Sequence, residues 1–326
     1  MGAARRGVVH SAFATAVNLV FPADLVISLN ADTRTSVVSA RALPFPGMPN
    51  GIQVNGFPFS ALRPGMPVLL GAGRIVIDAI GCSLDLSGCM QWDARIVRPV
   101  NLDTDVVRKN AAWLERQYLA AAEDDLLVTL PRSGRGQAPP YHVHIHPRPY
   151  DAAMAVADMA RALCGRGRGL TPAGDDMLAG WMAINWLLYG LSYTRDTTLN
   201  RGIGLPGPLL DNVFTHIPEI DTANEIDTAR RAGQAHAPTE VDTTLIAACE
   251  EILAVARRQT HLLSQSWLGY AARGCVAMPV RALLEAMAGD DERQLAVAAQ
   301  VVLSMGATSG HDLMRGIVMG MHWVQQ

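Results

Sequence analysis

Apolar and polar positions change their rhythm about a third of the way along the chain. From about Val8 to Ile96 the apolar residues come in short β-branched runs broken by Pro, Gly and Asn: Val17–Phe21, Asp24–Leu29, Ser36–Ala42, Ile52–Val54, Pro67–Leu70 and Arg74–Ile80. Short runs of this kind, closely spaced, predict strands of a small barrel or sandwich. Met1–Phe21 carries basic residues ahead of an apolar stretch, but His10, Ser11 and Asn18 interrupt it, so it reads as a first strand or short helix rather than a leader. After Trp92–Asn101 the period lengthens. Asp105–Leu119 reads as helix, Leu126–Leu130 and Tyr141–His146 as strands, and Arg132–Pro140 as a loop. Tyr150–Cys164, Met177–Tyr189, Thr244–Arg257, Leu262–Arg273, Val280–Ala288, Asp291–Met305 and Leu313–Val324 have helical length, several with i, i+3, i+4 apolar spacing. The expected fold is α+β: a β-rich, barrel-like domain over 1–100 and a larger, mainly helical domain over 101–326. Thr197–Asp242, rich in Gly, Pro, Asp and Thr, reads as a long loop.

Composition narrows the function classes. The 326 residues carry a net charge of −3 and no basic run, which argues against a nucleic-acid partner. Charged residues make up 17% and hydrophobic ones 49%, so extensive buried or intersubunit surface is expected. Met177–Leu191 is the most apolar window, yet it falls short of the ~20 residues a membrane span needs and contains Asn185. It is expected to be a core helix. The five cysteines are scattered without CxxC spacing, which fits a reducing cytoplasm.

The chemistry concentrates in two turns that lead into helices. The first is Gly169-Leu170-Thr171-Pro172-Ala173-Gly174-Asp175-Asp176-Met177-Leu178-Ala179-Gly180, and the second is Gly306-Ala307-Thr308-Ser309-Gly310-His311-Asp312-Leu313-Met314-Arg315-Gly316. Both read Gly-x-Thr, then Gly-x-Asp, then a glycine four residues later. Glycines let backbone approach a ligand, helix starts offer unpaired N–H groups, and buried carboxylates need partners. Thr171 followed by Pro172 suits an N-cap and first helical position. A first-turn aspartate is an ordinary cap, but only one of Asp175 and Asp176 can serve so; the other needs a cation, a donor or water. Backbone N–H groups around Gly169, Gly174 and Gly310 favour phosphate or carboxylate, which the aspartates repel. The conflict resolves if Mg²⁺ bridges the carboxylates, or if the ligand carries N–H donors beside its negative group, as a ureido acid or carbamoyl phosphate does. Arg166 and Arg168 just upstream are candidates to balance the anion, or simply solvated loop residues.

These two motifs resemble a bacterial family, long of unknown function, that includes a subunit of the oxamate carbamoyltransferase complex of allantoin breakdown. Phe59-Ser60-Ala61-Leu62-Arg63-Pro64-Gly65, Leu84-Asp85-Leu86-Ser87 and Trp92-Asp93 are similar to its β-rich portion, and Thr260 with Ser264, ahead of Ala272-Arg273-Gly274, to a Thr/Ser pattern between its glycine motifs. The resemblance implies a cytoplasmic subunit that works with heteromeric partners in phosphorolysis of oxalurate, giving oxamate and carbamoyl phosphate. It also implies roles: Thr171, Thr308 and Ser309 orient oxygen atoms, while Asp175, Asp176 and Asp312 hold N–H groups or a metal. The Thr197–Asp242 stretch is longer than the family's connection. Two other classes stand beside this one, a non-catalytic ligand-binding or scaffolding subunit and a metal-dependent hydrolase.

Remaining candidates carry weaker signals. His142, His144 and His146 alternate on one expected strand face, as zinc ligands or as an exposed face or subunit contact. His311 is a candidate acid/base or phosphate ligand, and equally a first-turn filler. Cys164 has the position of a nucleophile near a helix dipole but no indicated His partner, so buried packing is expected. Met314, Met319, Met321 and Trp323 read as core or interface packing.

Overall fold

In the computed structural model, residues 4–31, 51–54, 56–86, 94–119, 152–167, 170–190, 243–306 and 308–323 are described. They fall in two compact units that divide between Ala94 and Arg95. Expectations for Ser36–Ala42, Leu126–Leu130, Arg132–Pro140, the His142–His146 strand and the Thr197–Asp242 loop lie outside the described residues, as do Trp92, Asp93, Arg168 and Gly169.

The first unit is a curled sheet of seven strands: β1 Arg5–Ala12, β2 Ala16–Phe21, β3 Leu25–Ala31, β4 Gly51–Val54, β5 Pro67–Gly71, β6 Arg74–Ile77 and β7 Cys82–Asp85. Their order is β4-β3-β2-β1-β5-β6-β7, with β3 and β4 parallel and the other neighbours antiparallel. Val9, Val17, Leu19, Ile27, Leu29, Ile75 and Ile77 fill its core, which Phe59 and Leu62 join from the connection before β5. One expectation needs correction. The Arg74–Ile80 run ends as a strand at Ile77, because Asp78–Ile80 turns into a 3₁₀ helix closed by Gly81 at φ +60°. Strand β7, not among the expected strands, alternates over only four residues, too short a run to mark a strand beforehand.

The β2–β3 register places Asn18 opposite Ser28, both buried. Ser28 Oγ donates to Asn18 Oδ1 at 2.6 Å, and Asn18 Nδ2 donates to Ser11 Oγ at 2.9 Å. Three strands are thus joined by a polar triad on the sheet face opposite to the one that Val17, Leu19, Ile27 and Leu29 turn to the core.

The second unit contains eight α-helices among the described residues: α1 Thr104–Leu114, α2 Ala152–Leu163, α3 Ala173–Tyr189, α4 Thr243–Gln259, α5 Leu262–Ala271, α6 Met278–Met287, α7 Glu292–Leu303 and α8 Ser309–Trp323. A π-helical turn, Glu115–Leu119, continues α1. Helix α3 is buried on nearly every side, as its uninterrupted apolar sequence requires, and Trp181, Met182, Ala183 and Ile184 are fully enclosed. Met314 and Met321 are likewise core residues. Among the described residues no helix is long and apolar enough to cross a membrane.

Helices α3 and α8 set the frame of the site. A Cβ at Gly180 would collide with the Leu313 carbonyl, and a Cβ at Gly316 with that of Met177. Each helix therefore carries a glycine where the backbone of the other touches it. Thr171 meets Ser309 at their starts, and Gly320 packs on Ile184 further along, so the two helices run in the same sense with their N-termini together.

Candidate functional site

Both helices begin earlier than their apolar patterns indicate, α3 at Ala173 and α8 at Ser309, which puts Asp175, Asp176 and Asp312 in first turns. The expected cap at Thr171 is overturned. Pro172 is the N-cap of α3, its carbonyl accepting from Asp175 N at 2.9 Å and Asp176 N at 3.2 Å, and no side chain caps the helix. Ordinary caps exist elsewhere in the unit: Asp103 accepts from Asp105 N and Val106 N ahead of α1, and Asp291 from Arg293 N and Gln294 N ahead of α7. The aspartates of α3 do something else.

Asp175 and Asp176 are engaged with different partners. Asp175 Oδ1 accepts from Gly165 N at 2.8 Å, and its Oδ2 accepts from Thr260 Oγ1. That carboxylate ties the turn after α2 and the end of α4 to the start of α3. Gly165 sits at φ +71°, and a Cβ there would strike the Gln259 carbonyl, so the clamp closes only over glycine. Gly174 is held in the same assembly: its N–H donates to Arg166 O at 2.9 Å, and its Cα lies against the Leu163 carbonyl. Gly310 repeats that close approach in the second motif, against the Val302 carbonyl.

Asp176 belongs to a second cluster. Thr171 Oγ1 donates to Asp176 Oδ2 at 3.0 Å and lies 3.2 Å from Ser309 Oγ. Burial pushes the Asp176 carboxyl up to about 7; hydrogen bonds from Ser309 and Thr171 oppose the rise, and the charges of Asp312 and Asp175 add to it. Asp312 is also raised, first by burial, against a hydrogen bond from Thr308 and the charges of Arg315 and His311. Arg315 Nη1 stands 3.7 Å from Asp312 Oδ1. Asp312 Oδ2 is buried with no hydrogen-bond partner among the described residues.

The two motifs thus bring Thr171, Asp176, Thr308, Ser309, His311 and Asp312 to one place, while Asp175, Gly174 and Thr260 form the clamp beside it. Ser264 is buried on α5, its Oγ unpartnered among the described residues, and no described hydrogen bond joins it to either cluster. Arg166 is exposed. Arg315 was not singled out from the sequence, although its i, i+3 spacing from Asp312 within the second motif was the available signal. Burial, then the charge of Asp175, pushes the Cys164 thiol up to about 12, which leaves it a packing residue rather than a nucleophile. Among the described residues no group of three or more His, Cys, Asp and Glu side chains is arranged to hold a metal ion.

No curated protein and no solved structure matches the chain. A family model does, over residues 163–203 and 232–321, and its description is oxamate carbamoyltransferase subunit AllH. The match takes in both motifs, Thr260 and Ser264, and lies in the helical part of the chain; the sheet segments Phe59–Gly65 and Leu84–Ser87 fall outside it. Over those residues the helical region of this chain is similar to the oxamate carbamoyltransferase subunit AllH.

Proposed function

We propose that this chain is the subunit of a carbamoyltransferase that binds a ureido acid at the paired starts of α3 and α8, and that it works with partner subunits in nitrogen catabolism. The observation that carries the reading is the meeting of the two motifs, Thr171 Oγ1 3.2 Å from Ser309 Oγ, beside the acids Asp176 and Asp312. In the reaction, an oxygen of hydrogen phosphate attacks the carbamoyl carbon of oxalurate. The bond from that carbon to the oxamate nitrogen breaks, and the phosphate proton ends on that nitrogen. Oxamate and carbamoyl phosphate leave, so no covalent enzyme intermediate is required. The barrier lies in charge developing on the carbamoyl oxygen and in bringing two anions together, and both respond to fixed donors and helix dipoles in a dry site. Thr171, Ser309 and Thr308 supply hydroxyls, Asp176 and Asp312 face the nitrogen-bearing group, and Arg315 with His311 stands on the anionic side. Asp175, with both oxygens engaged, acts by holding the Gly165 turn and Thr260 in place.

The test is phosphate-dependent cleavage of oxalurate by the purified chain, alone and with candidate partner subunits. Asp312→Asn lowers kcat/KM of the reconstituted assembly by about 100-fold, the order seen when one aligned electrostatic group is removed; Thr171→Ala lowers it about tenfold. An unchanged rate in Asp312→Asn sinks the site assignment. Cleavage by the partners at full rate without this chain makes it a scaffold.

A further inference from the structure

The two acids at the paired helix starts differ in their hydrogen bonding. Asp176 Oδ2 already accepts from Thr171 Oγ1, and the Ser309 hydroxyl bonds the same carboxyl. Asp312 is bonded by Thr308 and faces Arg315 through Oδ1, yet its Oδ2 has no partner among the described residues although the side chain is only 7% exposed. A buried acceptor left without a donor costs free energy, so this oxygen is fitted to a donor that a ligand brings.

Where the charge resides follows from the neighbours. Two buried carboxyls within each other's field hold one negative charge more cheaply than two. Among the described residues Arg315 and His311 act on Asp312, whereas no cation acts on Asp176. The charge therefore settles on Asp312 and the proton on Asp176. The paired helix starts then carry one O–H donor and one unfilled acceptor, the donor–acceptor complement of an amide edge.

We propose that this pair reads a planar amide or ureido group, its carbonyl oxygen accepting from the Asp176 carboxylic O–H and its N–H donating to Asp312 Oδ2. The assignment rests on the motifs forming the carbamoyl-transfer site and deepens it to two named contacts. It also resolves the difficulty of carboxyls at an anion-favouring helix start: one is neutral, and the other is satisfied by the ligand's own N–H. Among the described ionisable groups, Asp175 on its own turn and Asp312 on α8 act on Asp176, His311 and Arg315 act on Asp312, and the Cys164 thiol after α2, pushed up to about 12 and neutral, faces Asp175. Tyr270 at the end of α5 and Arg273 just beyond it act on each other and on Cys275. Binding then follows the proton on Asp176.

The experiment is calorimetric titration of the full chain with oxamate, in EDTA, at pH 6, 7 and 8.5. Wild-type affinity falls about tenfold per pH unit once Asp176 ionises above about 7. Asp176→Asn, whose amide N–H replaces the O–H and does not titrate, binds within about threefold of the wild-type pH 6 value at every pH. Asp312→Asn binds at least about tenfold more weakly at pH 6, and so does wild type with oxalate, which lacks the N–H. A pH-independent wild-type affinity, oxalate binding equal to oxamate, a requirement for Mg²⁺, or Asp176→Asn as weak as Asp312→Asn overturns the proposal. Should circular dichroism show Asp176→Asn unfolded, the wild-type pH profile, Asp312→Asn and oxalate decide. Binding as described without phosphorolysis in the reconstituted assembly sinks the carbamoyl-transfer reading alone; phosphorolysis with pH-independent binding sinks the acid pair alone.

Discussion

Each unit buries a small polar cluster, and the two are built on opposite terms. In the sheet, Ser11, Asn18 and Ser28 satisfy one another across three strands, and the backbone ladder on either side holds them in register. At the starts of α3 and α8, Thr171 and Ser309 hydrogen-bond with Asp176, but Asp312 Oδ2 is left over and two acids share a confined space. A complete network adds specificity to a core, whereas an incomplete one costs stability and persists where a ligand completes it. On these terms the first cluster is structural and the second fits the ligand site proposed above. It also shows in what holds each cluster: hydrogen-bonded strands for the first, glycine-to-carbonyl contact between two helices for the second.

Breaking the helical frame has the largest effect. Gly316→Ala forces a Cβ into the Met177 carbonyl, and neither backbone can yield without separating α3 from α8. The expected loss is about 3 kcal/mol or more, the upper range for overpacking. Gly269→Ala is the control: it too is helical, but its added Cβ would meet only the Arg273 guanidinium at 3.7 Å. There the gain in helix propensity, about 0.5–1 kcal/mol, is expected instead. Denaturant unfolding of both variants checks the pair; equal stabilities would mean the glycine contacts do not hold the frame.

The comparison sharpens when one group is removed from each cluster. Asn18→Ala leaves Ser28 Oγ and Ser11 Oγ without a partner they now have, and costs about 1–3 kcal/mol. Asp312→Asn removes a raised, partly unsatisfied acid and leaves stability unchanged or higher, while activity falls. Opposite signs in the same unfolding assay are the expected result. A loss in Asp312→Asn as large as that in Asn18→Ala would make the acid structural.

How much of this was legible follows from the reach of each signal. The helical unit was readable because its pattern is local: α2 to α8 lie within a few residues of where the apolar spacing put them, and the all-apolar stretch after Asp176 correctly meant a helix enclosed on every side. Pairing of the two motifs was open to suspicion because the pattern repeats, but the meeting of Thr171 with Ser309 depends on Gly180 and Gly316 each facing the other helix, which spacing alone does not show. The helix starts were placed late, since Gly and Asp in a first turn lower the apparent periodicity that marks a helix. Local spacing makes Thr171 a cap whose oxygen accepts from the nearest N–H groups, whereas its hydroxyl donates to Asp176, a residue buried by tertiary packing. Nothing local distinguished Asp175, which grips the ends of α2 and α4, from Asp176, which faces α8.

The smallest effect is a slope. In the unfolded chain the Asp176 carboxyl loses its proton near its ordinary value of 3.8, whereas in the fold it keeps it up to about 7. Between these values the folded state binds more protons than the unfolded one, so stability contributed by the protonated form is complete below about pH 4, declines as pH rises, and is gone above about 7. Other groups titrate over the same range, but they cancel when wild type is compared with Asp176→Asn, which has no proton to lose. The wild type is therefore expected to lose about 1 kcal/mol more than Asp176→Asn between pH 6 and pH 7, below the ceiling of about 1.4 kcal/mol per pH unit for one proton. Parallel stability curves would place Asp176 among ordinary ionised carboxylates, and the two buried clusters would then differ only in one orphaned oxygen.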